Sequence, residues 1–354
     1  MRKFLYLLAF LPCAVFAQST DYSLDKSHAF EHMEIGATVG STGVGLDVGF
    51  PINKNLKLRG GFSFMPKLSN TGHYEMKKLG VLQGTDKQID HKTRRLVQLL
   101  GEFAESFLGR NDVDSIVDME RSASYINGKL ILDWYPFAKK NWHFSAGFYV
   151  GSRKTVTFCN TDKELATTYA MKAYNKTYDQ VQTLDEYEYP FYNFGDISYE
   201  LDPYVGEYLK DGFKYYGRIG MKVGEFADGS YFYLDPDQNG YLKAEMFVNA
   251  FKPYVGFGYD TRIGKDKRWN FGFDAGLLIW GKPKVYCNGY VGDEKGPTDI
   301  TYDEYGRNPI INRRTVDLLD EVEVTSKVIK KYTKIAHNLP IFPVLEVKLS
   351  YNIF

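Results

Sequence analysis

The stretch WNFGFDAGLLI, residues 269–279, decides the fold that the sequence predicts. Apolar residues alternate along it with polar or small ones, and a β-strand, whose side chains repeat with a period of two, would place the two sets on opposite faces. One face would carry Trp269, Phe271, Phe273, Ala275, Leu277 and Ile279, and the other Asn270, Gly272, Asp274 and Gly276. The strand therefore has one aromatic, apolar face and one face of glycine and polar residues.

Four further segments alternate in the same way, at 56–64, 142–151, 251–260 and 345–353. A soluble sandwich would bury its aromatic faces and turn its glycines and charges to water. A membrane barrel would instead turn the aromatic faces to lipid and the small and charged residues to a narrow lumen. The mean hydropathy of −0.36 does not oppose this, because strands of about 10 alternating residues hardly change the average.

The N-terminus indicates export. In residues 1–17, Arg2 and Lys3 precede an apolar stretch that ends at Ala17. This order is typical of a secretory signal peptide. A lipoprotein signal acylated at Cys13 would need small residues before that cysteine, and Leu11 and Pro12 stand there instead. We therefore expect a signal peptide at 1–17, an N-terminal periplasmic segment at 18–32 and a barrel at 33–354.

Three segments repeat a common pattern of a charged tight turn followed by an amphipathic strand. They are INKNLKLRGGFSF, AKKNWHFSAGFYV and KDKRWNFGFDAGL, and long polar inserts follow at 69–121, 156–213 and 286–338. Short periplasmic turns and long extracellular loops are the layout of outer-membrane barrels. The sequence thus predicts an all-β, transmembrane, antiparallel up-and-down β-barrel with long, partly helical extracellular loops.

The number of strands follows from the direction of each one. Strands starting at 55, 141 and 269 would rise from the periplasm, and a further rising strand at 33–41 would turn at Thr42 and Gly43. This gives eight strands, or ten if 213–249 adds a pair. A single long strand from 33 to 50 is the competing interpretation.

Several of these stretches resemble a family of Gram-negative outer-membrane β-barrel proteins of undefined function. They are GSTGVGLDVGF (40–50), KLILDWYPF (129–137), FKPYVGFGY (251–259), FDAGLLIWGKPK (273–284) and FPVLEVKLSYNIF (342–354). The tyrosine-rich inserts are most similar to those of Bacteroidetes members. The resemblance implies insertion into outer-membrane lipid by the assembly machinery, which would read the C-terminal strand. One departure is that Tyr351 stands three positions before the terminal Phe354, where the family usually has an aromatic two positions before the end.

Charged residues fall on the predicted inward faces. They are Lys57, Arg59, Asp133, Arg218, Lys222, Lys252, Asp260, Asp274, Glu346 and Lys348, together with Asp47. A barrel of eight to ten strands is barely wider than its own side chains, so these charges must pair or retain water. We expect a closed lumen held by ion pairs. A narrow channel or transporter for small solutes is the alternative.

Two smaller patterns suggest sites outside the strands. Asp235, Asp237 and Asn239 reproduce the first half of a calcium loop, but Met246 stands at its twelfth position, where an acid is expected. An Asp/Asn/Gly hairpin turn is therefore the default interpretation, and calcium binding is the alternative. Cys159 and Cys287 are the two cysteines beyond the signal peptide. They could form a disulfide between loops or remain separate thiols.

The charge balance and the catalytic motifs limit the classes of function that the sequence allows. The 44 basic and 44 acidic residues balance, so the chain lacks the basic footprint of a nucleic-acid-binding protein. The six histidines are scattered, and no G-x-S-x-G or H-E-x-x-H motif occurs. We expect no resident cofactor other than calcium and no enzyme, with a membrane-embedded lipid-modifying enzyme as the residual alternative.

The inserts carry two candidate amphipathic helices. One would place Leu96, Leu99, Leu100, Phe103 and Phe107 on one face, and the other Leu318, Leu319, Val322, Ile329, Tyr332 and Ile335. Such helices could cap the barrel or offer an apolar groove to a partner. The main hypothesis is an outer-membrane barrel with a structural or surface-binding role, contacting an extracellular ligand or protein through its loops.

Overall fold

The computed structural model describes residues 32–75, 86–109, 113–137, 141–181, 191–194, 197–200, 217–293, 296–304, 309–325 and 327–353. The predicted signal peptide and nearly all of the segment at 18–32 lie outside these ranges and stay predictions. In the described part of the chain, no helix has both the length and the apolar composition that a membrane crossing requires.

The chain is mainly β-structure. The strands are β1 (Glu34–Gly40), β2 (Gly43–Asn53), β3 (Leu56–Glu75), β4 (Ile116–Trp134), β5 (Trp142–Gly151), β6 (Lys154–Asn160), β7 (Phe191–Phe194), β8 (Ile197–Glu200), β9 (Met221–Glu225), β10 (Tyr231–Leu234), β11 (Lys243–Phe247), β12 (Phe251–Ile263), β13 (Trp269–Ile279), β14 (Lys284–Asp293), β15 (Gly296–Pro297), β16 (Ile300–Tyr302), β17 (Pro309–Ile311), β18 (Arg313–Asp317), β19 (Glu323–Val324) and β20 (Ile341–Asn352). The α-helices are α1 (Asp86–Leu108), α2 (Leu165–Val181) and α3 (Lys327–His337).

Eight strands close into an antiparallel barrel in the order β1, β2, β3, β4, β5, β12, β13 and β20. Closure is made between the first and last strands, where Glu34 is opposite Asn352 and Gly40 is opposite Glu346. The prediction of eight strands is confirmed, and the ten-strand alternative is wrong. The segment 213–249 pairs elsewhere, in the sheet described below.

A tight turn separates β1 from β2, so the single long strand from 33 to 50 is also wrong. Gly40 pairs with Gly43 across a two-residue turn of Ser41 and Thr42. Gly43 has φ +98°, and a Cβ there would lie 2.2 Å from the carbonyl oxygen of Phe64. Only glycine fits this position without strain. With this turn, both ends of the barrel sequence emerge on the same side as the charged turns after β2 and β12.

The polarity of the barrel is the reverse of that in a soluble protein. Each strand exposes an apolar side chain outward, namely Ile35, Leu46, Phe62, Leu132, Phe144, Val255, Leu277 and Leu345, which are 39–63% exposed. Each strand also buries a polar or charged side chain inward, for example Asp47, Arg59 or Asp274. An apolar outer surface around a polar interior is typical of barrels that span the outer membrane. The outward face of 269–279 is confirmed.

β3 and β4 run well beyond the barrel. β3 contains 20 residues, whereas a membrane crossing needs only about 9–11. Past a register shift between Met65 and Leu68, the end of β3 pairs with the start of β4, and that part of β4 then pairs with β6. These strand ends begin a second sheet, here called the outer sheet. It continues through β6, β11, β14, β10, β9 and β19, with β18 on the other edge of β14.

The predicted inserts are therefore largely structured. The insert at 69–121 contains the outer parts of β3 and β4, and the other two supply most of β6, α2, β14 and α3. The helix predicted around Leu96, Leu99 and Leu100 is confirmed as α1, whose buried leucines pack against α2; the side chains of Phe103 and Phe107 lie outside the described residues. The second predicted helix is only partly right. Ile329, Tyr332 and Ile335 lie on α3, but Leu318, Leu319 and Val322 lie in the connection between β18 and β19.

Candidate functional site

The barrel interior contains a continuous set of buried charges, here called the lumen network. At its centre Arg59 contacts two carboxylates, with Nε 2.6 Å from Asp133 and Nη1 2.8 Å from Asp274. Ser145 donates a further hydrogen bond to Asp133 over 2.7 Å. The three charged side chains are at most 2% exposed, so they rely on one another rather than on water.

Ion pairs lie on both sides of this centre. Toward the periplasmic turns, Lys57 binds Glu34, and Lys348 lies 2.9 Å from Asp260. Toward the outer sheet, Lys129 lies 3.0 Å from Asp47 and 3.2 Å from Glu346. Five Lys or Arg side chains and six acids are buried in the lumen, and this near balance lets the network approach neutrality without bulk water.

The lumen network includes residues that sequence reasoning missed. His143 lies between two aspartates, with Nε2 2.9 Å from Asp274 and Nδ1 3.6 Å from Asp260. Its inward position follows from the alternation of 142–151, which was the available signal. Glu34 and Lys129 were also missed, although Lys129 lies four residues before Asp133 and therefore on the same face of β4.

Two predicted members of the lumen network lie outside the barrel. Arg218 pairs with Asp179 of α2 at 3.0 Å, and Lys222 lies on β9 with its Nζ 3.0 Å from the ring centroid of Tyr231. Lys222 lies on β9 of the outer sheet, and Arg218 precedes that strand. An amphipathic pattern identifies a strand and does not say which sheet the strand joins.

The upper part of the lumen is filled by an apolar layer. Tyr149 and Tyr254 pack edge to face with ring centroids 5.7 Å apart, and Ile131, Leu278 and Val344 complete the cluster. Above it, Lys252 donates to Asn127 Oδ1 at 2.8 Å and to the carbonyl oxygen of Ser152 at 3.0 Å. Ion pairs thus occupy the lower part of the lumen, and packed side chains occupy its upper part.

The predicted calcium ligands are engaged by cations and amides. Asp235 is paired with Arg313 at 2.5 Å, and Asp237 accepts from the backbone amides of Asn239 and Tyr241 at 2.9 Å and pairs with Lys243. Gly240 adopts φ +77° in this turn. Within the described ranges, no three His, Cys, Asp or Glu residues are grouped to hold a metal ion. These contacts favour the Asx turn over a calcium loop.

The two cysteines lie on strands of the outer sheet with β11 between them. Cys159 on β6 is opposite Lys243, and Cys287 on β14 is opposite Ala244, the next residue of β11. Because neighbouring residues of a strand point to opposite faces, the two side chains also lie on opposite sides of the sheet. Both thiols are free in the structure, which corresponds to the separate-thiol alternative.

The outer sheet and α3 enclose an apolar pocket of about 290 Å³. Its walls come from both strands and helix, including Val156, Phe158, Val223, Leu234, Ala244, Met246, Val285, Cys287, Ile329 and Ala336. Cys287 is 3% exposed, and burial raises the pKa of its thiol. The pocket forms because β4, β6, β11, β14 and β9 each direct an apolar face to the same side, and α3 covers that side.

A polar cluster lies at the edge of the apolar pocket. The hydroxyls of Tyr74 and Tyr332, both lining residues, are 3.1 Å apart, and Nη1 of Arg121 donates to the Tyr332 hydroxyl at 3.3 Å. The Arg121 guanidinium also lies over the Tyr332 ring, 5.5 Å from its centroid. Burial and the neighbouring Tyr332 hydroxyl raise the pKa of Tyr74 to about 12, so its hydroxyl remains protonated at neutral pH. Sequence reasoning placed Tyr332 on an apolar helix face and gave no signal for Arg121.

Comparison with known proteins gives little further information about this chain. No known protein family matches the chain, and no curated protein does. Among solved structures, CarO2 of Acinetobacter baumannii aligns with 92% of this chain and 100% of its own at 12% identity and a TM-score of 0.39. CarO of the same organism aligns with 92% and 99% at 13% identity and a TM-score of 0.36. These scores are too low to carry an argument. The strand pairing and the polarity of its two faces establish the chain as an all-β protein built on a closed, eight-stranded antiparallel barrel of the outer-membrane type.

Proposed function

We propose that the protein is an outer-membrane barrel of a Gram-negative bacterium with a closed lumen, and that its outer sheet binds an apolar ligand at the cell surface. The apolar pocket between the outer sheet and α3 is the observation that carries this proposal. The predicted signal peptide and the apolar outer band of the barrel support the location. The Bacteroidetes-type relationship suggested by the tyrosine-rich inserts remains a prediction.

The free energy needed to open the lumen supports the proposal that it is closed. Arg59 holds two carboxylates, and separating the three groups would leave buried charges without partners. Breaking a buried ion pair of this kind costs about 3–5 kcal/mol. A solute passing the lumen would also have to displace the ring packing of Tyr149 and Tyr254. These two layers favour a structural plug over the channel alternative.

The size and chemistry of the pocket support ligand binding. Ligand pockets commonly have volumes of about 300–1,000 Å³ and mainly apolar walls with a few polar groups, and this pocket lies at the small end of that range. The pocket opens to the outside beside Ile335 and Leu339, which are exposed, so a ligand can reach its apolar walls.

Ala244→Trp tests the proposal, because residue 244 lines the pocket and a large side chain there would fill it. The protein in lipid nanodiscs should bind N-phenyl-1-naphthylamine saturably, with one site per chain. We expect the variant to lose at least nine-tenths of this signal. Ala275→Trp, on the outward face of β13, is the matched control and should retain it.

Heat-modifiable migration on electrophoresis would establish that each variant has folded. Saturable binding that is equal in the Ala244→Trp variant and the wild type would contradict the proposal, and so would an absence of binding to the folded wild type. Outside the lumen network, in which His143 contacts buried aspartates, the enzyme alternative would rest on the contact between His73 and Asp118 on the outer parts of β3 and β4. The contacts described for this pair include no nucleophile, and they do not favour that alternative.

A further inference from the structure

We infer that the apolar pocket takes a single-chain carboxylic acid, with the carboxylate bound by Arg121 beside the hydroxyls of Tyr332 and Tyr74 and the chain held among the apolar walls. This inference rests on the proposed function, and it specifies the chemical class of the ligand. The position of Arg121, a cation of the outer sheet, is the observation on which it depends.

Arg121 lies on the pocket side of β4. It is opposite Phe158 of β6 and two residues from Met119 on the same strand, and both of these neighbours line the pocket. Residues directly opposite each other, and residues two apart on one strand, share a face of the sheet. The guanidinium contact with Tyr332 brings this cation to the pocket edge.

The hydrogen bonding of Arg121 is incomplete. Its Nε atom is buried and has no hydrogen-bond partner. The contacts of Arg121 within the described residues are with the Tyr332 hydroxyl and ring, and no ion pair with an acid is among them. A guanidinium has five N–H donors in a planar fork that matches a carboxylate bidentately. The arrangement therefore offers a partly buried guanidinium with unused N–H donors, and a carboxylate is the natural counterpart of such a group.

The hydroxyls of Tyr332 and Tyr74 can also bind the carboxylate. The Tyr332 hydroxyl already accepts from Arg121 and contacts the Tyr74 hydroxyl at 3.1 Å. A hydroxyl can donate as well as accept, so either phenol can donate to a carboxylate that Arg121 holds. Beyond these three groups, the walls are apolar aliphatic and aromatic side chains. Among the described residues that line the pocket, the other polar side-chain groups are the Cys287 thiol and the Thr333 hydroxyl.

The volume of the apolar pocket favours a ligand with a single acyl chain. A pocket of about 290 Å³ lies at the lower limit of the range of about 300–1,000 Å³ that drug-sized ligands occupy, which favours a ligand with one acyl chain over a lipid with several. The pocket also reaches Ile335, which is 55% exposed, and Leu339, which is 37% exposed, just before β20 begins at Ile341. An amphiphile with one chain could thus have its tail inside the pocket and its carboxylate at Arg121.

The experiment compares palmitic acid with hexadecanol, which has the same chain without the charge. Displacement of N-phenyl-1-naphthylamine from the protein in nanodiscs would report binding of each. We expect the wild type to prefer the acid by at least tenfold, and Arg121→Gln to remove that preference while binding the alcohol unchanged. Arg153→Gln, at an exposed position of the loop before β6, is the control and should keep the preference.

The outcomes separate this inference from the proposed function. If acid and alcohol bind equally to the wild type, or if the Arg121→Gln variant keeps the preference, the carboxylate assignment is wrong and the apolar site stands. If neither compound nor the probe binds the folded wild type, the proposed function fails. Arg121→Lys, which keeps a charge without the planar fork, should retain part of the preference and guards against a loss caused only by misfolding.

Discussion

At the scale of single residues, the interior of this barrel depends on a small number of charges with several partners each. Arg59 has two carboxylates, and Lys129 has two more. His143 contacts Asp274 and lies within 4 Å of Asp260 and Asp133. Because these groups share partners, removal of one affects the others.

Arg59→Ala should destabilise the barrel strongly, because it leaves Asp133 and Asp274 buried without their main cation. Loss of one partner from a buried ion pair typically costs about 3–5 kcal/mol, and we expect a decrease of that size in the free energy of unfolding. Urea unfolding in phospholipid vesicles would measure it. Arg153→Ala, at an exposed position, should change the value by less than about 0.5 kcal/mol. Equal stabilities of the two variants would contradict the role given to the lumen network.

At the scale of elements, sequence periodicity predicts the barrel strands well and the outer sheet poorly. Strands such as β12 and β13 are long, alternate regularly and are joined by a short charged turn, so their pairing is local. The outer-sheet strands β9, β10 and β11 have only four or five residues each. Their partners are distant in sequence, as in the pairing of β11 with β6 and β14. Periodicity does not contain that information, and for this reason Arg218 and Lys222 were placed in the wrong sheet.

The candidate site was predictable only in part, for the same reason. The lumen charges follow from alternation alone, because every inward residue of a small barrel shares one interior. The apolar pocket requires five outer-sheet strands, β4, β6, β9, β11 and β14, to come together with α3, and none of these contacts is local. Tyr332 could be assigned to a helix face, but its contact with Arg121 joins residues 211 positions apart.

The two cysteines provide a test of the outer sheet as an element. Thiolate is the reactive form, and burial both raises the pKa of the Cys287 thiol and limits access to it. We expect N-ethylmaleimide to modify Cys159, which is half-buried, much faster than Cys287 in the folded protein. Mass spectrometry of digests would measure both rates, with Cys287→Ala as the control. Equal rates, or a mobility change on non-reducing electrophoresis that reveals a disulfide, would contradict the placement of β11 between the two strands.

At the scale of the whole molecule, the barrel and the outer sheet have different tasks. The barrel supplies an apolar band for the membrane and a lumen filled by paired charges and packed rings. The outer sheet continues directly from β3 and β4, so its pocket is held by the same strands that cross the membrane. The chain as a whole has 44 basic and 44 acidic residues, and charges of both signs are also buried together inside the barrel.

Conductance in planar lipid bilayers tests the closed barrel most directly. We expect the purified protein, inserted at neutral pH, to show no steady ionic conductance. The reason is that the ion pairs around Arg59 and the layer of Tyr149 and Tyr254 fill the lumen. Insertion would be verified by heat-modifiable migration of protein recovered from the same vesicles. A steady, ohmic conductance from the inserted wild-type protein would contradict the closed lumen and favour the channel alternative.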